Sequence, residues 1–259
     1  MQTAIYETDL SDAQWNFVQP MLPAPKKRGR PPTDRRRVID AVLYVLKGGI
    51  PWRLLPKTYP PWKTIYHIFR AWTLDHTWAA LNDALRTCVR VEDHRNGQPS
   101  ACILDSQSVK SDGHGGQVGF DAGKKINGRK RHVLVDTLGM LLGVVVTPAS
   151  CTERNGAQRV LQKVACWFPK LRKLWVDGGY TGDCFENWVQ EHWPKLEVEV
   201  VKRGSTKGFT VLPRRWIVER TFGWLMRHRR LARDYERTET SAESWIQLAM
   251  IRIQLRRLA

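Results

Sequence analysis

The stretch Lys130-Arg131-His132-Val133-Leu134-Val135-Asp136-Thr137-Leu138-Gly139-Met140-Leu141-Leu142-Gly143-Val144-Val145-Val146-Thr147 decides the fold. Two runs rich in valine and leucine, 131–135 and 140–147, flank Asp136-Thr137-Leu138-Gly139, whose aspartate and glycine favour a turn. The spacing predicts an antiparallel hairpin. Upstream, Ala101-Cys102-Ile103-Leu104 reads as a strand that ends at Asp105, followed by a glycine-rich loop over 111–128. Downstream, a helix over 156–167 stops at Pro169, and Leu174-Trp175-Val176 forms a strand running into Asp177. A helix over 183–192, a strand over 196–201, a basic helix from about Pro213 and a final helix from Ser241 complete the chain.

The order strand, hairpin, helix, strand, helix, strand, helix implies an α/β fold with a mixed sheet, the arrangement of a ribonuclease-H-like catalytic domain. An all-α region precedes it. Ser11-Asp12 caps a short helix that Pro20 and Pro23 end, and Lys26-Lys27-Arg28-Gly29-Arg30-Pro31-Pro32 is an extended basic arm. Thr33 or Asp34 caps the next helix, whose apolar Val38, Ile39, Val42, Leu43, Val45 and Leu46 keep helical spacing until Gly48-Gly49. Further helices start near Pro61-Trp62 and at Trp78. Asn96-Gly97-Gln98-Pro99 then marks a boundary, dividing the chain into a helical region (1–98) and an α/β domain with C-terminal helices (99–259).

A net charge of +17 over 259 residues, with a pI near 10.1, favours nucleic acid or an anionic surface as partner. The longest apolar stretch, 140–146, is far below the roughly 18 residues of a membrane span. The acidic N-terminus lacks the basic and apolar regions of a secretion signal, so the expected location is the cytoplasm. Five cysteines without a CxxC pair argue against a disulfide framework or zinc knuckle, and any metal should be a hard one with oxygen ligands. Gly113-His114-Gly115-Gly116 and Gly123-Lys124 fit neither the dinucleotide nor the P-loop pattern, so no nucleotide cofactor is expected.

Between Val201 and Arg233 stand ten Lys and Arg residues and one carboxylate, Glu219. Asp105, Asp177 and Glu219 in such surroundings suggest a Mg²⁺-dependent enzyme acting on a polyanion, since two Mg²⁺ ions about 3.5–4 Å apart activate a nucleophile and relieve charge on the leaving oxygen. Bland readings compete: Asp177-Gly178-Gly179 as a turn, Asp105-Ser106 as a cap, Glu219 as a surface partner of Arg215 or Arg220. Asp112, Asp121, Asp136 and Asp183 are rival ligands, Asp136 reading as a hairpin-turn residue and Asp183 as a helix cap. Gly223 suits either close approach of DNA or tight helix packing. The twelve tryptophans read chiefly as core.

Three blocks, Asp105-Ser106-Gln107-Ser108-Val109-Lys110, Lys130 to Asp136 with Val176-Asp177-Gly178-Gly179-Tyr180, and Arg214-Arg215-Trp216-Ile217-Val218-Glu219-Arg220-Thr221-Phe222-Gly223-Trp224-Leu225, resemble the DDE transposases of the insertion-sequence IS5 family. Arg28-Gly29-Arg30-Pro31-Pro32 and Gly49-Ile50-Pro51-Trp52-Arg53-Leu54-Leu55-Pro56 extend the likeness over nearly the whole chain. The resemblance implies that Asp105, Asp177 and Glu219 are the catalytic, metal-holding triad, with two Mg²⁺ ions expected and Mn²⁺ as a substitute. It implies a transposase that binds the terminal inverted repeats of its element, cuts the ends and joins the 3′-hydroxyls to target DNA, as a homodimer or higher assembly. The chain departs from the related signature at Leu212, where a tyrosine is usual, and at Met226, where a basic residue stands one position later as Arg227. Expected DNA contacts are Lys26, Lys27, Arg28, Arg30, Arg35, Arg36, Arg37, Lys130, Arg131, Arg215, Arg220 and Arg227, with Lys63, His67 and Arg70 facing DNA from a helix-turn-helix. A ribonuclease-H-like endonuclease and a noncatalytic DNA-binding regulator remain as rivals.

Overall fold

The computed structural model describes residues 5–24, 33–113, 116–201 and 214–259. The expected basic arm (Lys26, Lys27, Arg28, Arg30) and Leu212 lie outside the described residues. Among the described residues six strands form one sheet: β1 (Ala101–Lys110), β2 (Gly119–Asp121), β3 (Ile126–Asp136), β4 (Leu141–Pro148), β5 (Lys173–Val176) and β6 (Glu197–Val200). The central β1 pairs antiparallel with β3 and parallel with β5, which pairs parallel with β6; β2 and β4 both pair with β3. The β3–β4 hairpin is the one read from its two apolar runs and the turn between them. At its turn Asp136 Oδ1 accepts the backbone N–H groups of Leu138 and Met140.

Two expectations need correction. β1 does not end at Asp105 but continues to Lys110, because residues 106–110 pair with 128–132 of β3. Ser106 and Ser108 lie in this extension. Both are buried, and their hydroxyls bond Glu153 and Asp121, so the polar atoms are satisfied inside a strand. The glycine-rich loop is correspondingly shorter, since β2 and the start of β3 lie within 111–128.

Helices cover both faces. α5 (Glu153–Val164) and α6 (Asp183–His192) close one face over Leu104, Leu134 and Val176. Asp183 is the first residue of α6 rather than its cap, which is Gly182. The other face packs on α8 (Glu239–Leu258), a helix buried on most of its circumference, with Trp245, Leu248, Ile251 and Leu255 inside. α1 (Asp12–Val18) carries the capping box of Ser11 and Gln14. Asp34 caps α2 (Arg35–Gly48), and Gly49 ends it in the left-handed region at φ 68°, where a side chain would be strained. α3 (Trp62–Leu74) and α4 (Thr77–Glu92) follow.

One hydrophobic cluster unites Val42 and Leu46 of α2, Phe69 of α3, Leu85 of α4 and Trp245 of α8 with Val133 and Val144 of the sheet. Asn96-Gly97-Gln98-Pro99 therefore interrupts the secondary structure without interrupting the core. Trp72, Trp78, Trp175 and Trp245 are buried, and Phe69 stacks on Trp245 with centroids 4.7 Å apart. These tryptophans act as core, as read.

Candidate active site

Adjacent parallel strands bring the two aspartates together. In the β1–β5 register Ala101 pairs with Lys173 and Ile103 with Trp175, so extending it two residues puts Asp105 level with Asp177. Asp105 is 9% exposed within β1, its Oδ1 accepting the Ser106 N–H at 2.7 Å. Asp177 directly follows β5 and accepts the Gly179 N–H at 2.8 Å. The third carboxylate comes from α7 (Trp216–Met226), where Glu219 sits in the first turn, favoured there by the helix dipole.

Arg215, the residue before α7, gathers all three. Its Nη2 lies 3.6 Å from Asp105 Oδ2, 3.4 Å from Asp177 Oδ2 and 3.6 Å from Glu219 Oε1. Its buried Nε has no partner among the described residues. Burial pushes the Asp105 pKa up to about 6, partly opposed by the Ser106 N–H and Arg215 and reinforced by Asp177. Three hard oxygen donors already held around one cationic nitrogen fit a divalent cation such as Mg²⁺ in donor chemistry. With the guanidinium between them, no three acidic, histidine or cysteine side chains among the described residues converge as a metal-ligating group.

A fourth carboxylate borders the site. Glu153, at the start of α5, accepts the Ser106 hydroxyl at 3.1 Å and faces Lys124 Nζ at 3.8 Å. A Cβ on Gly179 would come within 2.1 Å of Glu153 Oε2, so only glycine admits this approach. The fully buried Tyr180 phenol faces Ser106, Asp105, Glu153 and Asp177; burial first, then these carboxylates, pushes its pKa well up, keeping it neutral. Sequence reading missed Glu153 because Thr152-Glu153 looks like any capped helix start.

The rival ligands have other partners or places. Asp121 holds Ser108 and Lys130, Asp136 pairs with Arg90 at 2.7 Å, and Asp183 is exposed on α6. Several expected DNA contacts have internal partners in this structure. Arg36 binds Asp12 and the Leu10 carbonyl, and Arg37 binds Asp9 and the Thr58 carbonyl. Lys130 binds Asp121 and the Cys151 carbonyl, and Arg131 is 2% exposed on the Leu231 carbonyl. Arg35 is half-buried on the Pro23 carbonyl. Arg220 lies between Trp216 and Trp224, 4.5 Å from each ring centroid, and donates to the Leu138 carbonyl. Arg227 is exposed at the end of α7, and Lys63, His67 and Arg70 share the exposed side of α3.

Gly223, one turn after Glu219, is exposed, and a Cβ there would meet nothing within 4 Å among the described residues. Tight packing therefore does not explain it. Gly223→Ala should stabilise the protein by up to about 1 kcal/mol through helix propensity. A urea midpoint unchanged or lowered relative to wild type would contradict this.

A mixed sheet carrying level aspartates on neighbouring strands, with a helix-borne glutamate beside them, is a ribonuclease-H-like catalytic domain of the DDE type. Residues 96–253 match the family described as "Transposase DDE domain", and residues 10–82 match "Putative transposase of IS4/5 family". The chain belongs to the DDE transposases, in their IS4/5 branch. It is 31% identical over 117 residues to the insertion element IS402 uncharacterized 16.2 kDa protein of Burkholderia cepacia, a match covering 42% of this chain and 78% of that protein. The family implies a DNA-binding enzyme of transposition that uses divalent metal ions. No helix among the described residues is long and apolar enough to cross a membrane.

Proposed function

We propose that the protein binds the terminal inverted repeats of an insertion sequence, cleaves the element ends and joins the freed 3′-hydroxyls to target DNA. The observation that carries this reading is the gathering of Asp105, Asp177 and Glu219 around Arg215. These three carboxylates would hold Mg²⁺, or Mn²⁺ in its place. When bound, two such ions supply nucleophile activation and charge relief at the leaving oxygen.

In cleavage, water attacks the phosphorus at the element end. The P–O3′ bond breaks, the departing oxygen takes a proton to become a 3′-hydroxyl, and the flanking strand keeps the 5′-phosphate. In joining, that hydroxyl attacks a target phosphodiester; one P–O bond forms as one breaks, so no external energy source is required. Asp105 and Asp177, held on neighbouring strands, give the site its rigidity, while Glu219 enters from a helix and is more than half exposed. Arg215 supplies positive charge beside the reacting phosphate. Residues 1–98 act as the DNA-binding region and 99–259 as the catalytic domain, and pairing of two element ends calls for a dimer or larger assembly on DNA.

The test is cleavage and joining of a duplex carrying the flanking element end, with Mg²⁺ or Mn²⁺. Metal-dependent products of both steps are expected. Cutting without joining would favour the endonuclease reading, and specific binding without cutting would leave a regulator.

A further inference from the structure

Five cations converge beyond the C-terminal end of α7. Lys47 at the end of α2, Arg227 just after α7, and Arg252, Arg256 and Arg257 of α8 line a cavity of about 320 Å³ beside Trp224. None of the five forms an ion pair with a carboxylate among the described residues; the closest internal contact is Lys47 Nζ donating to the Arg227 carbonyl at 3.2 Å. Arg252 is 6% exposed, and its buried Nη1 has no hydrogen-bond partner among the described residues. Burial and then Arg256 lower its pKa, and Glu7 is the acidic group that opposes them. His228, also lining the cavity, is held neutral by burial, its pKa pushed down to about 4. An unpartnered guanidinium inside a cationic cavity is costly unless an anion completes it. The fork of arginine N–H groups matches a phosphate, whose oxygens accept several at once.

The pocket lies at the far end of the helix that carries Glu219. Glu219, Gly223 and Met226 follow the three- and four-residue spacing of one helix face, and all three are exposed. Gly223 leaves that face bare at its middle. Arg227 lies eight positions after Glu219, roughly 12 Å along the helix, or about three to four nucleotide steps of 3.4 Å.

We propose that this cavity binds one backbone phosphate of the DNA strand whose reacting phosphodiester lies at Asp105, Asp177 and Glu219, with the strand running along the exposed face of α7. The site joins α2 of the N-terminal region to α7 and α8 through the ligand, and so sets the register of the DNA end. This inference rests on the DNA-processing reading above.

The test is fluorescence anisotropy of a labelled duplex of arbitrary sequence, titrated with full-length protein over a NaCl series. Arg256→Gln/Arg257→Gln removes two exposed members of the pocket without touching Arg252. Lys170→Gln/Lys195→Gln removes equal charge at exposed positions elsewhere. Loss of one phosphate contact should lower the slope of log K against log[NaCl] by about 0.9 in the pocket variant alone. Equal slopes in the two variants, with wild-type binding intact, would overturn the pocket and spare the DNA reading. Absence of duplex binding by the wild type would sink the DNA reading and the pocket's role with it. In a parallel arm, thermal stabilisation by inorganic phosphate that the pocket variant loses, without any change in duplex slope, would assign the cavity to a free anion and overturn its role on DNA.

Discussion

Asp105→Asn is expected to abolish cleavage and joining, by about 10³-fold or more, while duplex binding survives and the fold becomes more stable at pH 7. The two effects have one cause. Asp105 is a carboxylate buried in the middle of a strand, with the Ser106 N–H and Arg215 as its favourable partners. A carboxylate that helps hold a catalytic cation contributes several kcal/mol to the transition state, and roughly 4 kcal/mol corresponds to about 10³ in rate. Asparagine keeps the shape and the bond from Ser106 but lacks the charge.

Burial raises the folded-state pKa of Asp105 to about 6 from an ordinary 3.8. Between those values the folded chain binds a proton that the unfolded chain has released. The stability this carboxyl contributes is therefore full below pH 4 and is lost as pH rises through 6. Asparagine carries no such pH-dependent cost. Asp105→Asn should gain about 3 kcal/mol over wild type at pH 7, and the gain should shrink towards pH 4. Urea unfolding of both proteins at the two pH values measures it. Asp40, buried and likewise raised to about 6, and His132 and His228, lowered to about 3 and about 4, titrate in both proteins, so the difference between the curves isolates Asp105. A variant less stable than wild type at pH 7 would contradict the assignment of burial as the dominant cause.

The second large effect lies away from the site. Asp136 is fully buried, pairs with Arg90 at 2.7 Å, and accepts two backbone N–H groups at the hairpin turn. Asp136→Ala would leave the Arg90 guanidinium, itself 5% exposed, without its counter-charge. Breaking one side of a buried pair costs about 3–5 kcal/mol, which for a chain of this size lowers Tm by roughly 10 °C. Arg90→Ala/Asp136→Ala should cost clearly less than the sum of the single changes, because the uncompensated charge is gone. Strict additivity in the cycle would show that Asp136 acts only through the turn. Arg90 belongs to the N-terminal helices and Asp136 to the sheet, so this pair also binds the two regions of the chain together.

Several features were determined by the sequence alone. Continuous apolar runs on either side of Asp136-Thr137-Leu138-Gly139 sufficed for the hairpin, because short buried strands and turn chemistry are local signals. The helix starts at Ser11 and Asp34 were legible for the same reason. Arg215, four residues before Glu219, was legible as its helical neighbour, and the three carboxylates could be named from their surroundings and their resemblance to a family. What only the tertiary structure decided is how charge is distributed. Arg36, Arg37, Lys130 and Arg131 look in sequence like the other basic residues, yet long-range packing buries them on internal partners such as Asp9, Asp121 and the Leu231 carbonyl. Lys47, Arg227 and Arg252 stand far apart in the chain and meet only because α2, α7 and α8 pack on one core. Glu153 reaches the aspartates only because α5 lies against β1 and Gly179 has no side chain. Local patterns specify elements; which charges remain free to meet a phosphate depends on contacts between residues up to two hundred positions apart, and no local pattern records those.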